Sequence, residues 1–423
     1  MFQKRNVLFI LLFVVSLLQG QTRIKTMFYN TLNYNSNAES EARTPHLKTI
    51  LDEVKPDLFM VCELKNETAS NYLFNNAIVT SNPSFKKADF NTSRSPATDV
   101  LQMLYYNADK LTLEFNEVIP TGVRDINHYT LKLKTASETR IEVFVTHLKA
   151  SAGISDRQKR SESVDLFVRQ LDRLPIDAYV IFAGDFNFYT SNEEGFQKII
   201  DKNNPIQILD PINRLCPDFP PQFSTNYYFE NRSDDLYRQY FWNNSSFADI
   251  HSQSTRNSQL NGDGVGGGMD DRFDFIMLSK NFTESTEMKF VNNSYKTIGN
   301  NGNCYNSFVS NTTCTGEFSQ NLRNALFNFS DHLPIVLELE NQQNILSNYT
   351  YVKKLNFSIK HQELKLKIDK NIKEIKIYNT LGKVVFTSKN INSNETVIHL
   401  NILKSGLYFL KVDDYKVAKF LKI

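Results

Sequence analysis

Hydrophobic and polar positions divide this chain into apolar runs that end on reactive side chains. Phe59-Met60-Val61-Cys62-Glu63, Val143-Phe144-Val145-Thr146-His147 and Val180-Ile181-Phe182-Ala183-Gly184-Asp185-Phe186-Asn187 read as buried strands closing on a carboxylate, a histidine and an Asp/Asn pair. Ser330-Asp331-His332-Leu333-Pro334 is a fourth polar segment of this kind. Between them the apolar period lengthens to that of helices. Thr44-Pro45 predicts a helix start, a Thr cap with Pro in the first turn, and Leu47, Ile50, Leu51 and Val54 then share one face. A longer helix is predicted from Asp156 through Val164, Phe167, Leu171 and Leu174. Strands alternating with helices predict an α/β body.

The pattern changes after Leu339-Glu340. Residues 341–350 are polar and linker-like, and short alternating strands follow, including a hairpin over Lys373–Val385 with Gly382 in its turn. At the other end, Lys4 and Arg5 precede the apolar stretch Val7–Leu18 and then Gln19-Gly20-Gln21, which reads as a signal peptide cut after Gly20. That stretch is too short to span a bilayer, and no other segment is a candidate span. The expected division is a signal peptide over 1–20, a catalytic body over 21–340, a linker over 341–350 and a β-rich domain over 351–423. A secreted or cell-surface monomer is expected.

Composition narrows the classes. Of the 423 residues, 41% are hydrophobic and 12% aromatic, enough for a packed core and too apolar for a disordered chain. Four cysteines make neither a disulfide scaffold nor a paired zinc pattern, although Cys304 and Cys314 bracket a polar loop where a bridge is plausible in an exported protein. From Asn341 onward there are 15 lysines and no arginine against six acidic residues, while residues 21–340 carry a net charge of −9. A body of that sign does not hold nucleic acid by overall attraction. Any polyanion must be drawn by a metal and by local arginines.

The strand-end segments, with Met27-Phe28-Tyr29-Asn30-Thr31-Leu32-Asn33 before them and Arg272-Phe273-Asp274-Phe275-Ile276-Met277 among them, resemble the endonuclease/exonuclease/phosphatase superfamily from about Arg23 to Glu340. The resemblance implies two packed mixed β-sheets flanked by helices, a four-layer sandwich. It implies a metal held by Asn30, Glu63 and Asp331, namely Mg²⁺ or Mn²⁺, with Ca²⁺ also admissible. His332 oriented by Asp274 is the implied general base, Asp185 and Asn187 position water and phosphoryl group, and His147 donates as a cation. Asp99 is the implied partner of His147, and Arg124 is a candidate phosphate clamp because its planar fork suits two oxygens. The Tyr378-Asn379-Thr380-Leu381-Gly382-Lys383 and Ser405-Gly406-Leu407-Tyr408 stretches, with the Lys-rich last strand, resemble the sorting domain of the type IX secretion system. That resemblance implies a small all-β sandwich and outer-membrane secretion machinery as a partner.

These implications favour an exported endonuclease with nucleic acid as substrate. The alternatives are a phosphatase or a phospholipid or sugar phosphodiesterase of the same superfamily, and an inactive adhesin on the fold. Residues 211–270 interleave aromatics with Arg232 and Arg238, which could stack bases, although packing against the body is the stronger reading. The glycine-rich run at 261–268 reads as a mobile lip of the cleft.

Overall fold

Runs of β-branched and aromatic residues extend into strands whose alternate side chains face opposite layers. The computed structural model describes residues 22–95, 100–135 and 137–341, and then 356–360, 362–367, 372–391, 395–413 and 418–422. Two units are distinct, Met1–Gln343 and Asn344–Ile423. The expected signal peptide and nearly all of the expected linker lie outside the described residues.

In the first unit the strands are β1 (Thr22–Tyr34), β2 (Leu58–Leu64), β3 (Phe85–Lys87), β4 (Leu101–Asn107), β5 (Leu111–Ile119), β6 (Ile126–Leu133) and β7 (Arg140–His147). They continue with β8 (Tyr179–Asp185), β9 (Ile208–Leu209), β10 (Asp274–Ser279), β11 (Met288–Phe290), β12 (Lys296–Thr297) and β13 (Ile335–Asn341). One sheet runs β11-β13-β1-β2-β4-β3, with β12 also on β13, and the other runs β5-β6-β7-β8-β10-β9. Both are mixed, because β1-β2 and β7-β8 are parallel pairs among antiparallel ones.

The layering follows from alternation. Val143, Val145, Ile181, Ala183 and Ile276 join the core shared with Phe28, Met60 and Leu104 of the other sheet. Their neighbours Phe144, Val180, Phe182 and Phe275 point the opposite way, onto Val164, Phe167 and Leu171 of the helix Ile154–Leu171. Helices Ala38–Val54 and Gln320–Phe329 pack on the first sheet through Leu47, Ile50, Leu326 and Phe329. The order is therefore helix, sheet, sheet, helix.

Local chemistry moves one helix start. The first helix begins at Ala38, where the Asn37 side chain accepts from Ser40 N at 2.9 Å, and Pro45 sits inside it. An asparagine cap satisfies a free amide at the true end, whereas Pro45 removes only one internal hydrogen bond. The second helix starts two residues before Asp156 and ends at Leu171. Cys304 and Cys314 are bridged, and Cys62 and Cys216 are free and buried.

The second unit has strands β14 (Asn356–Lys360), β15 (Glu363–Lys367), β16 (Ile372–Asn379), β17 (Val384–Ile391), β18 (Glu395–His399), β19 (Gly406–Val412) and β20 (Ala418–Lys422). They form two antiparallel sheets, β14-β15-β18 and β17-β16-β19-β20, over a core including Leu364, Leu366, Ile375, Ile377 and Leu410. Gly382, at φ 77°, makes the turn between β16 and β17. Among the described residues no helix is long and apolar enough to cross a membrane.

Candidate active site

Strand register gathers the polar ends at one edge of the sandwich. On the second sheet His147, Asp185 and Asp274 stand side by side at the ends of β7, β8 and β10. On the first, Asn30 of β1 pairs with Cys62 of β2, one residue before Glu63, whose φ of 62° turns the strand end. The Ser330 hydroxyl donates to the Asn30 carbonyl at 2.8 Å, which fastens the Asp331-His332 segment beside β1. Gly184 is required for this alignment, since a Cβ there would overlap the Thr146 carbonyl on β7.

Two groups of possible metal-holding side chains result, Glu63-His147-Asp185 and Asp185-Asp274-His332, with Asp185 in both. The Asn30 amide nitrogen sits between them, donating to Glu63 Oε1 at 2.9 Å and Asp185 Oδ2 at 3.0 Å. Its oxygen accepts from Leu32 N, so Asn30 holds the carboxylates and presents no oxygen of its own to them. His147 Nε2 faces Asp185 Oδ2 at 3.5 Å and Glu63 Oε1 at 3.7 Å, and its Nδ1 has no partner among the described residues. His332 Nδ1 meets Asp274 Oδ2 at 2.7 Å, while Nε2 faces the amide nitrogens of Gln253 at 2.6 Å and Asn30 at 3.3 Å. Amide nitrogens only donate, so in the neutral imidazole Nε2 accepts and Nδ1 carries the proton to Asp274.

Burial and crowded charge tune these groups. The Asp185 carboxyl is pushed up to about 7 by burial and by Asp274 and Glu63, against the pull of His332 and Arg124. Burial lowers the His332 pKa, but Asp274, Asp331 and Asp185 outweigh it and hold the imidazole well above its ordinary value. His147 goes the other way. Burial, then Arg124 and His332, push it well below, so it offers a neutral N–H and not the expected imidazolium.

The remaining expected residues divide. Asn187, in the left-handed region at φ 53°, donates from its backbone N to Asp185 Oδ1 at 3.1 Å and from Nδ2 to the Leu148 carbonyl at 3.3 Å. Arg124 donates to the same carbonyl at 2.7 Å, half-buried beside His147. Asp331 stands outside both groups. Its Oδ2 accepts from Val265 N at 2.8 Å and faces Gln253 Nε2 at 3.4 Å. Asp99 lies outside the described residues.

Other positions have no signal in the strand pattern. Gln253 is brought to His332 by isolated bridges to Asp271 and His332 in a loop. Asp271, pushed up to about 8 by burial and Asp270 and pulled down by Arg232 and His332, stands beside the same edge. The glycine-rich run is docked against the body. Gly264, at φ 79°, lies so close to Asp331 that a Cβ would sit 3.0 Å from its carboxylate. Most aromatics of 211–270 pack, as Tyr228, Phe229 and Phe241 form a small core and Trp242 lies between Phe196 and Phe275. Arg157 covers the Phe229 ring at 3.9 Å.

Residues 356–423 match a family model described as a secretion system C-terminal sorting domain. Such a domain marks the chain for export to the cell surface or beyond it. No curated protein matches the sequence. Solved structures similar to the chain include an endonuclease/exonuclease/phosphatase family protein from Bacteroides thetaiotaomicron, at 14% identity over 76% of this chain and 99% of that one, TM-score 0.46. The human nocturnin catalytic domain with bound sulfate shares 14% identity over 76% of this chain and 98% of that one, TM-score 0.46. A mannosyl-6-phosphatase from Bacteroides thetaiotaomicron shares 14% over 74% and 99%, TM-score 0.44. The first unit has the two mixed sheets between helices that the resemblance of its strand-end motifs to the superfamily implies.

Proposed function

We propose that the first unit is a metal-dependent phosphodiester hydrolase and that the exported chain is a nuclease. The observation that carries this reading is the convergence of two carboxylate-histidine groups on the shared, buried Asp185. Several carboxylates forced together in low dielectric raise one another's pKa, and a cation relieves that repulsion. Glu63 and Asp185 are oxygen donors of the kind hard cations take, so the residues fit Mg²⁺ or Mn²⁺. Bound there, the ion supplies charge neutralisation at a non-bridging phosphoryl oxygen.

The chain's own groups account for the rest. His332 acts in its neutral form, which a cation beside Asp185 would favour by offsetting the carboxylate field that raises its pKa; with Nδ1–H held by Asp274, it takes a proton from water at Nε2, the atom now met by the Gln253 amide. The water oxygen then bonds to phosphorus as the bond to the leaving oxygen breaks, and that oxygen takes a proton from solvent, to which the His332 imidazolium returns its own. His147 donates a neutral hydrogen bond to the phosphoryl group, and the free part of the Arg124 fork takes another of its oxygens. Asn187, its backbone fixed by Asp185, orients the group under attack.

The test is a substrate screen of the purified chain against single- and double-stranded DNA, RNA, sphingomyelin and inositol phosphates, with Mg²⁺ and with excess chelator. Cleavage of DNA or RNA that chelation abolishes and Mg²⁺ or Mn²⁺ restores is the expected result. Turnover confined to lipid or sugar phosphates overturns the nuclease assignment, and full activity in chelator overturns the metal.

A further inference from the structure

Beside the proposed site lies a cleft with two arginines that the chemistry above does not use. Asn33 joins the two places, because its backbone N donates to Glu63 Oε2 at 2.8 Å and its Nδ2 to Asp263 Oδ1 at 3.1 Å. The cleft that Asn33 lines has a volume of about 530 Å³, and Arg43, Arg256, Lys65 and His46 also line it. Arg256 is 1% exposed. Its Nε donates to the Phe327 carbonyl at 2.9 Å, and its Nη2 has no partner among the described residues.

Arg43 is likewise served by neutral groups, the carbonyls of Leu32 and Phe329 at 2.7 Å and of Thr31 at 3.2 Å. Among the described residues neither guanidinium touches a carboxylate. Two acids line the cleft: Glu39, exposed in the first turn of the helix Ala38–Val54, and Asp263, whose Oδ1 is occupied by Asn33 and by the Gly264 amide. Burial lowers the pKa of both arginines, against the pull of Asp263 on each and of Asp331 on Arg256. A buried cation without a contacting counter-ion is stabilised by any anion that enters. No phenyl, phenol or indole ring lines the cleft, so it offers a seat for charge and no platform for a base.

We propose that this cleft seats a second phosphate of the substrate, the one that flanks the scissile bond in a polynucleotide. The proposal rests on the nuclease reading, and its test separates the two. Cleavage by the full chain with Mg²⁺ is compared for the dinucleotide TpT, which has only the scissile phosphate, and for pTpT and TpTp, which add a terminal one. One of the two should be cut with at least about tenfold higher kcat/KM than TpT, the scale of one charge-assisted contact.

Arg256→Gln, which keeps a donor for Phe327, and Asn261→Asp should both remove that advantage while leaving TpT cleavage unchanged. Asn261 is an exposed residue of the cleft wall at φ 54°, a conformation aspartate tolerates, so its variant decides the matter if Arg256→Gln does not fold. Equal losses on TpT and on the favoured dinucleotide, or no advantage in the wild type, overturn the proposal. If none of the three is cut, the nuclease reading stands or falls on the DNA and RNA screen. Calorimetric titration with inorganic phosphate in chelator then decides the cleft: binding weakened in both variants retains a phosphate seat, and no binding by the wild type removes it.

Discussion

Asp185 is the residue on which both halves of the site depend, and two predictions follow from its position. His332→Ala and Asp185→Ala should each lower kcat by about 10³-fold or more, with the thermal unfolding transition retained. Turnover within tenfold of wild type in either purified variant would show that the roles were misassigned. The second concerns pH. Asp185 has a folded pKa of about 7 against 3.8 for the free side chain, so between these values the native state binds more protons than the unfolded one. Its contribution is fully present below the lower value and is lost as pH rises through the upper one. In chelator, stability from this group should therefore fall from about pH 4 to about pH 7. A cation that needs the ionised carboxylate should add most at the high end. Melting temperatures with and without Mg²⁺ should diverge across that window; a gap that stays constant from pH 5 to pH 8 would count against Asp185 as a ligand. At this scale the sequence was readable where a strand delivers a side chain, as at Glu63, His147, Asp185 and Asp274. Gln253 and Asp271 were not, because loop bridges without a periodic signal bring them in.

Elements were legible in proportion to their periodicity. Strands β7, β8 and β10 of the second sheet announced themselves as continuous apolar runs because both of their faces are buried. The start of the helix Ala38–Val54 did not, since Thr44-Pro45 imitates a first turn that Asn37 in fact provides seven residues earlier. The sharpest test of an element is Gly184. In the parallel β7-β8 pair an added methyl would meet the Thr146 carbonyl, so the two strands must separate where they carry His147 and Asp185. Gly184→Ala should cost about 1–3 kcal/mol in denaturant unfolding, the usual range for overpacking. It should lower kcat/KM as well, and a variant with unchanged stability and activity would contradict that close approach.

For the whole molecule, the two units carry separate cores and all of the proposed chemistry belongs to the first. Removing residues from Tyr349 onward should leave hydrolysis by the purified protein within about twofold of the full chain, as expected for independent domains. The same truncation should accumulate in the periplasm of the producing cell. Release of the truncated form into the medium, or loss of activity in a folded truncation, would shift the second unit's role toward substrate binding. A break after Leu339-Glu340 is expected from the change of strand pattern and of composition, from a net charge of −9 over residues 21–340 to a lysine-rich tail, and the two compact units part at Gln343-Asn344.

The Cys304-Cys314 bridge closes a loop whose Ser307 carbonyl accepts from Met269 N at 3.0 Å and whose Val309 N donates to the Thr255 carbonyl at 2.9 Å. That loop thus backs the segment carrying Gln253 and Asp271. The bond needs an oxidising compartment and contributes about 2–3 kcal/mol for a short loop. In a reducing compartment this backing is therefore expected to be looser, and the edge is expected to tighten once export allows the bond to form. Under the proposed nuclease reading, the same bond would keep the activity low while the chain is still beside the producing cell's own chromosome. Reduction, or the double variant Cys304→Ser/Cys314→Ser, should lower both melting temperature and nuclease rate, and reoxidation should restore them in the wild type alone.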